Sequence, residues 1–465
     1  MIALAVCAIC LSGAGLVAAG IPHGSRPLKI SLGLALGLGT WSAAYAAQWI
    51  AFGARGTGWK DAALGVFGVG LLLFARRRAG TAAQGSGVRR AVLATGGSER
   101  PKTADGEAAE TAGAEGAQAV GGEAAEPAGR WLAVLFAVAC VVCAAAFVEH
   151  TWRLPDGGWD AWMTWNLRAR FLVRAADARD AFSPGMLYWA HQEYPWLLPG
   201  VVAQVFLLFG ESYTAPALVA FAFAGLLVGT VVSFVAQLEG RKVALLAGLV
   251  LCSTPCFPSF AANQQSDIPL AVYFFAAAAL LELGRGRFQT LVLAGFAAGL
   301  CTWTKNEGTI FVGCLGFGLF VFRREALVPF GLGALPGFAL LVAFKLLVAP
   351  PSPLTEPGLL GRLVDPQRWL VLLADVARRL VYFQAFGLWL LAWIAALVVA
   401  RKQLRRSPLA LALFLSYAAC AGIYLGVPYP LHWIFKSSAD RLFMQLWPSA
   451  ILLTLPALRR ATART

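Results

Sequence analysis

The chain has 465 residues, of which 59% are hydrophobic and 13% are charged, and its formal net charge at pH 7 is +14. A mean hydropathy of +0.68 is too apolar for the surface of a soluble globular protein. The basic residues are dispersed in short clusters between apolar stretches, which argues against a nucleic-acid-binding domain. Composition therefore predicts an integral membrane protein.

Apolar stretches of roughly 17 to 25 residues recur along the chain and are long enough to cross a bilayer as helices. Their polarity does not alternate as it would in a membrane β-barrel. In chain order, the candidate spans are about 2–21, 28–53, 61–75, 131–148, 213–237, 243–258, 267–283, 290–303, 308–322, 326–348, 380–400, 408–427 and 441–457. The sequence thus predicts an all-α, polytopic transmembrane helical bundle of about thirteen spans.

The spans divide into two groups on either side of a polar segment. Residues 1–78 are predicted to form an N-terminal three-helix membrane extension, either an accessory module or a variable addition. Residues 79–130 are rich in Ala, Gly and Glu and are predicted to be a disordered cytoplasmic linker, because they lack the apolar residues of a core. Residues 131–457 form the main transmembrane module.

Short basic clusters predict the orientation of the helices, because such clusters are retained on the cytoplasmic side. They are Arg76–Arg78, Arg241–Lys242, Arg285 with Arg287, Arg323–Arg324, Arg401–Arg406 and Arg459–Arg460. If the short apolar segment from Trp196 to Phe209 crossed the membrane, Arg241 would lie outside. We therefore interpret that segment as an interfacial or re-entrant helix within a large extracytoplasmic loop, from about 149 to 212.

Five polar clusters stand near the predicted membrane depth, where an ionisable group costs about 2.5–3.5 kcal/mol. They occupy residues 158–170, 191–195, 263–267, 304–308 and 432–441. All five fall at predicted extracytoplasmic ends of helices. A transporter is expected to carry its polar groups near the midplane, on broken helices. The one-sided pattern instead favours chemistry at the outer membrane surface.

Each cluster also has a purely structural interpretation. Asp267 precedes Pro269 at the start of a span and could cap that helix. Lys305 and Glu307 could simply pair with each other, and Arg441 could be a snorkelling base. The tryptophans of the first cluster could belong to an aromatic interface belt. If each cluster were only a helix cap or a membrane anchor, acids, bases and aromatic residues would not need to occur together at five helix ends on one side of the membrane.

In their order and their placement between spans, these residues resemble the GT-C superfamily of membrane glycosyltransferases. The likeness is to its bacterial branch, similar to protein O-mannosyltransferases, the lipid A aminoarabinose transferase and the Rhizobium lipopolysaccharide glycosyltransferases. It covers about 131–457. The motifs that carry it are Trp159–Trp162 followed by Asn166–Arg170, Tyr194–Pro195, Ser266–Leu270, Trp303–Gly308 and Ser437–Arg441.

The resemblance implies an inverting glycosyltransferase that moves a hexosyl or pentosyl group from a polyprenyl-phosphate donor. The acceptor would be an envelope glycan, lipid or protein on the extracytoplasmic face of the bacterial inner membrane. The resemblance also implies a large first extracytoplasmic loop that carries juxtamembrane helices and a catalytic acid. By position, Asp160 matches that acid, although many relatives carry a second acid where this chain has Ala161. Glu193 or Asp267 could supply the catalytic partner. The expected substrate-binding residues are Trp162, Arg168, His191, Tyr194, Lys305, Glu307, His432, Asp440 and Arg441.

The nine cysteines lie in apolar stretches and predict neither a disulfide framework nor a zinc site. No metal-ligand set is expected, and participation of Mg²⁺ or Mn²⁺ is left open. The expected partners are membrane lipid, a polyprenyl-phosphate sugar and an envelope acceptor, without nucleic acid. The alternative function is a transporter or lipid flippase of the cell envelope, which would need a polar route through the helices.

Overall fold

The computed structural model describes residues 1–52, 59–95, 127–175, 178–182, 191–351, 357–382 and 386–462. Within these ranges the chain is helical and contains no β-strand, which confirms the all-α prediction. The α-helices of the first half are α1 (Ile2–Gly20), α2 (Arg26–Phe52), α3 (Trp59–Thr95), α4 (Pro127–Arg153), α5 (Asn166–Arg174), α6 (Leu197–Phe209), α7 (Thr214–Glu239), α8 (Arg241–Cys252), α9 (Phe257–Ala262) and α10 (Asp267–Leu283). Those of the second half are α11 (Phe288–Thr304), α12 (Asn306–Phe322), α13 (Leu327–Leu347), α14 (Leu359–Val364), α15 (Pro366–Tyr382), α16 (Leu388–Val399), α17 (Arg401–Leu404), α18 (Pro408–Gly426), α19 (Leu431–Ile434) and α20 (Asp440–Thr462).

Six of the described helical segments are long and apolar enough to cross a membrane, as expected of a membrane protein. They are Ile2–Gly20, Arg26–Phe52, Gly129–Arg153, Thr214–Glu239, Arg324–Leu347 and Pro408–Gly426. Helices α6, α11, α12 and α16 are apolar but shorter. The number of thirteen spans, the extracytoplasmic loop and the sidedness of the turns therefore stay predictions.

Two predicted spans, 380–400 and 243–258, are not single helices. In 380–400, Gly387 has a φ of +57° and lies outside any helix, and α16 begins only at Leu388. The span 243–258 is divided between two helices. Helix α8 ends at Cys252 and α9 begins at Phe257. Pro255 lies in the intervening turn, and a proline has no backbone N–H to continue the hydrogen-bond ladder and restricts the residue before it. The hydropathy of this stretch is continuous, so the break is a local backbone effect that the apolar pattern conceals.

Helix α10 lies at the centre of the bundle. Every residue from Asp267 to Leu281 is buried, and α10 packs against α7, α11 and α20. Because α10 is surrounded on all sides, it is apolar around its whole circumference. Its first residue, Asp267, is thereby placed at one end of the bundle, between the ends of neighbouring helices.

The three N-terminal helices share a core with the main module. The Tyr273 hydroxyl of α10 donates to the Ala35 carbonyl of α2 at 3.0 Å. The Thr290 hydroxyl of α11 donates to the Gly20 carbonyl at the end of α1, at 2.7 Å. Residues of α1 and α2 belong to the same continuous hydrophobic cluster as those of α10 and α11. The predicted N-terminal extension is therefore packed into the bundle.

The predicted linker falls largely outside the described residues. Helix α3 continues to Thr95, past the predicted end of the extension at residue 78, and α4 already begins at Pro127. Residues 96–126 are not among those described, so their disorder stays a prediction.

The segment from Trp196 to Phe209 forms α6, a helix of 13 residues. It packs against α2 and α5, and the Ser42 hydroxyl of α2 donates to the Leu197 carbonyl at 2.8 Å. Most of the helix is buried inside the protein. Of the two interpretations of this segment, burial fits a re-entrant helix better than a helix lying on the surface.

Helices α11 and α13 approach each other closely along two small-residue motifs, Gly295–Gly299 and Gly333–Gly337. A Cβ added at Gly333 would lie 1.9 Å from the Val292 carbonyl oxygen, and one added at Gly295 would lie 1.9 Å from that of Phe330. Only glycine permits this approach. In a bilayer, where lipid is as apolar as the helix surface, such close backbone packing drives association.

We predict that Gly333→Ala lowers the free energy of unfolding by about 1–3 kcal/mol, because the added methyl group must push α11 and α13 apart. Gly331→Ala on the same helix is the matched control, since a Cβ there meets no atom within 4 Å. The measurement is the midpoint of thermal unfolding of the purified protein in detergent. Equal midpoints for the two variants would contradict the close packing of these helices.

Candidate functional site

All five predicted polar clusters meet at the end of the bundle where α10 begins. Each key side chain is placed by a helix end: Asp267 is the first residue of α10, Lys305 joins α11 to α12, and Arg441 is the second residue of α20. Asp160 immediately precedes a five-residue π-helical turn, Ala161–Trp165. A second such turn, Phe435–Ala439, leads into α20. Single π-helical turns recur at functional sites in proteins.

The Asp267 carboxylate is the centre of the cluster. Its Oδ1 accepts from the Lys305 ammonium at 3.0 Å and from the Gln445 amide, and its Oδ2 accepts from Arg441 Nε at 2.8 Å. The residue is 1% exposed. A buried carboxylate is tolerated only when it is paired and hydrogen-bonded, and here two cations provide that pairing.

The same two cations also bind a carboxylate at each end of the cluster. Arg441 donates through its Nη1 to Asp160 Oδ2, and the Lys305 ammonium lies 2.9 Å from Glu307 Oε1. The result is a chain of five charges of alternating sign, hereafter the charge chain: Asp160, Arg441, Asp267, Lys305 and Glu307. The Asp160 side chain is 29% exposed against 2% for Asp267. Solvent can therefore reach the Asp160 carboxylate.

These contacts decide between several of the structural interpretations. Asp267 does not act as a simple helix cap, because both of its oxygens bind side chains of other helices. Lys305 and Glu307 do pair, yet the same ammonium also binds Asp267. The Arg441 guanidinium points into the protein, toward two carboxylates, and does not snorkel.

Tyr194 connects the loop at 191–195 to the charge chain. Its ring stacks on Trp165, with centroids 5.7 Å apart and planes 9° apart, and on His191, with centroids 5.2 Å apart. The Tyr194 hydroxyl donates to Glu307 Oε1 at 3.4 Å, and the Lys305 ammonium lies 5.6 Å from the ring centroid. Three of the five clusters are thus joined through this one side chain.

His191 and Glu193 form a pair at the edge of this stack. His191 Nδ1 lies 3.3 Å from Glu193 Oε1, and the buried Arg168 guanidinium donates to the carbonyls of His191 and Tyr194. Burial raises the pKa of Glu193, but the hydrogen bond and charge of His191 outweigh burial and leave this pKa below its ordinary value. His191 has a φ of +46°, a conformation that costs free energy outside glycine and recurs at functional sites.

The other described non-glycine residue with positive φ, Gln264 at +55°, also borders the site. Its side-chain oxygen accepts from Asn166 at 2.8 Å, and its side-chain nitrogen donates to the Pro155 carbonyl at 2.9 Å. These bonds tie the turn before Asp267 to the loop that carries Asp160. These hydrogen bonds, together with Arg441, therefore fix the position of Asp267 relative to Asp160.

Three further predicted substrate-binding residues, Trp162, His432 and Asp440, are not members of the charge chain. The Asp440 carboxylate accepts from Arg379 of α15. Trp162 is exposed and packs edge-to-face on Trp159, with centroids 6.1 Å apart. His432 lies exposed on α19. Of the three, only Asp440 is adjacent in sequence to a member of the charge chain.

The sequence prediction missed Lys345 and Gln445. Lys345 stands at the end of α13 and donates to the Glu193 carbonyl and, at 3.0 Å, to Asn306 Oδ1. It is a charged residue inside the predicted span 326–348, and a charge in an apolar span is itself a signal of function. Gln445 lies one helical turn after Arg441, on the same face of α20, which is a weaker signal.

The site does not offer a set of metal ligands. Within the described ranges, no group of three or more His, Cys, Asp or Glu side chains is arranged to hold a metal ion. The three carboxylates of the charge chain each bind Arg441 or Lys305.

Comparison of the chain with protein-family models, with curated proteins and with solved structures gave no match. The resemblance to GT-C glycosyltransferases therefore stays a prediction carried by its motifs. What the chain does has to be argued from the chemistry of the site.

We predict that Asp267→Asn lowers the free energy of unfolding by about 3–5 kcal/mol, because it leaves Arg441 and Lys305 with unbalanced buried charge. The matched control is Glu282→Gln at the other end of α10, where the acid pairs with the exposed Arg285. Removing that surface pair is expected to cost less than about 1 kcal/mol. Thermal unfolding in detergent measures both. A loss no larger for Asp267→Asn than for Glu282→Gln would show that Asp267 is not the electrostatic centre of the cluster.

Proposed function

We propose that this protein is a membrane glycosyltransferase. It transfers a sugar from a polyprenyl-phosphate donor to an envelope glycan, lipid or protein acceptor on the extracytoplasmic face of the membrane. The charge chain carries the proposal. A solvent-accessible carboxylate stands at its end, beside buried cations, at one mouth of an otherwise apolar bundle. Transfer from a lipid-linked donor requires such a site, open to water and close to lipid.

Asp160 is the general base in this proposal. Arg441 binds its Oδ2 and fixes the orientation of the carboxylate, while the partial exposure of Asp160 lets an acceptor hydroxyl approach Oδ1. The carboxylate takes the hydroxyl proton as the acceptor oxygen attacks the anomeric carbon. The bond between that carbon and the phosphate oxygen breaks, and its electron pair leaves with polyprenyl phosphate. A single displacement inverts the anomeric centre.

The leaving phosphate needs positive charge that carboxylates do not already neutralise. Lys305 and Arg441 each bind two carboxylates, and the charge chain as a whole has one more acid than base. Lys345 donates to a backbone carbonyl and a side-chain amide, both neutral. Lys345 is therefore the cation best able to stabilise charge on the phosphate, with Lys305 and Arg441 supporting it.

The alternative of a transporter or lipid flippase requires polar groups along a route between the two membrane faces. In α10, no charged residue occurs between Asp267 at one end and Glu282 at the other. That apolar stretch lies at the centre of the bundle. It supports a site confined to one end over a pathway that passes along this helix.

We predict that Asp160→Asn reduces sugar transfer by at least about 10²-fold, because the amide cannot accept the hydroxyl proton. The assay supplies purified protein with radiolabelled polyprenyl-phosphate sugars and crude envelope acceptors. Asp156→Asn, four residues earlier in the same loop, is the matched control and should retain activity. Unchanged transfer by a folded Asp160→Asn variant would remove Asp160 from the mechanism. Absence of transfer by the unaltered protein with every donor would favour the transporter.

We predict that Lys345→Gln lowers kcat/KM for the lipid donor by about 10-fold or more. The variant lacks the positive charge that would stabilise the donor phosphate, both in the bound donor and in the transition state. Lys345→Arg keeps the charge and should recover much of that loss. The measurement compares donor dependence at a saturating acceptor concentration. Equal losses in the Gln and Arg variants would indicate that Lys345 holds the loop through the Glu193 carbonyl and does not act through its charge.

A further inference from the structure

Helix α15 turns its charged side toward the protein and an apolar side away from it. Arg379 is buried, and Arg368 and Asp375 are half-buried. On the opposite side Leu370 is 66% exposed and Leu373 is 60% exposed. This is the reverse of an amphipathic helix on a water-soluble protein, where the apolar side faces the core.

The inward side of α15 is anchored to the end of α18. The Arg368 guanidinium donates to the carbonyls of Tyr424, Leu425 and Val427 at 2.8–3.0 Å. The carbonyls of Tyr424 and Leu425 are among those that a helix leaves without an intrahelical partner at its C-terminus, and Val427 directly follows the helix. Helix α18 is long and apolar enough to cross a membrane, so in a bilayer its end lies near the boundary between hydrocarbon and water. The start of α15 is thereby held at that boundary.

The other end of α15 is anchored where α20 begins. Arg379 donates to the Phe435 carbonyl at 2.7 Å and to the Asp440 carboxylate, and its Nε donates to Asp375 at 2.5 Å. Helix α15 therefore extends from the end of α18 to the start of α20, and these two ends are themselves joined by a 2.8 Å hydrogen bond between the hydroxyls of Tyr424 and Ser438. Both anchors lie at the same end of the bundle, so the axis of α15 follows the boundary and does not cross the membrane.

Composition leads to the same orientation. Helix α15 has 17 residues, and the four charges at Arg368, Asp375, Arg378 and Arg379 make it too polar to span hydrocarbon. Its apolar side nevertheless needs to be covered. The preceding helix α14 also presents an apolar side chain away from the protein, with Leu360 77% exposed. Helices that lie along a bilayer surface have this combination of a polar side and a contiguous apolar side.

Exposed aromatic and basic side chains stand on α15 and on the two segments that it contacts, α19 and the following π-helical turn. Trp369 on α15 and Trp433 on α19 are exposed by 46% and 48%. Lys436 is exposed on the π-helical turn that Arg379 contacts. Tryptophan is enriched at membrane interfaces, and an exposed lysine there can meet the phosphate of a lipid headgroup. Trp369, Trp433 and Lys436 are therefore suited to contact the surface of an anionic phospholipid bilayer.

We propose that α14 and α15 form an interfacial element whose apolar side is inserted into one leaflet of an anionic phospholipid bilayer. The element holds Asp440, the neighbour of Arg441 in the sequence, at the membrane boundary through Arg379. The inference concerns contact with lipid and does not depend on the proposed transferase activity.

The test replaces Leu373 with the photoreactive residue p-benzoylphenylalanine in the full chain, reconstituted in vesicles of phosphatidylglycerol. Because both Leu373 and Leu370 are exposed, neither replacement disturbs a packed core, and Leu370 serves as a second position. The positive control is Phe414, 69% exposed on α18. The negative control is Arg405, exposed in the basic segment before α18.

After irradiation, mass spectrometry is expected to find an adduct of one phospholipid at positions 373 and 370, with a yield comparable to that at 414 and well above that at 405. A covalent dimer at 373 and 370 would overturn the proposal in favour of a second copy of the chain on this side. An absence of adduct at both positions, with lipid adduct at 414, would overturn it in favour of exposure to water.

Discussion

The arrangement at one end of the bundle depends on the pairing of one buried carboxylate with two cations. Asp267 begins a helix that is enclosed by other helices, and an unpaired charge there would be unstable. Arg441 and Lys305 reach it from α20 and from the turn between α11 and α12. Each cation then has capacity for a further carboxylate, and Asp160 and Glu307 fill it. The two cations that neutralise Asp267 thus bring polar side chains from four separate segments of the chain into contact.

The apolar part of the bundle makes this gathering possible. Glycines at Gly295 and Gly333 allow α11 and α13 to approach until backbone atoms are in contact. Because α11 ends at Thr304 and α13 ends near Lys345, their packing brings Lys345 beside Asn306 and the loop at Glu193. Close packing of small residues in the membrane interior is therefore connected to the placement of charge at its edge.

Two kinds of constraint hold the exposed side of the site. The loops carry backbone strain at His191 and Gln264, and the side chains of Arg168 and Asn166 fix these loops in place. On the other side, Arg379 connects α15 to Asp440, next to Arg441. Hydrogen bonds and ion pairs therefore connect the site both to the loops at 155–166 and 191–195 and to α15.

The sequence alone determined the all-α class, most helix positions and the identities of Asp160, Asp267, Lys305, Glu307 and Arg441 as a candidate site, because charges are rare in apolar spans and therefore informative. It did not determine which of these side chains form ion pairs with one another. Asp267 could have been a helix cap, Lys345 lay inside the predicted span 326–348, and most of α15 fell between two predicted spans. Pairing depends on which helix ends meet in space, and hydropathy carries no information about that. Only the tertiary structure could decide it.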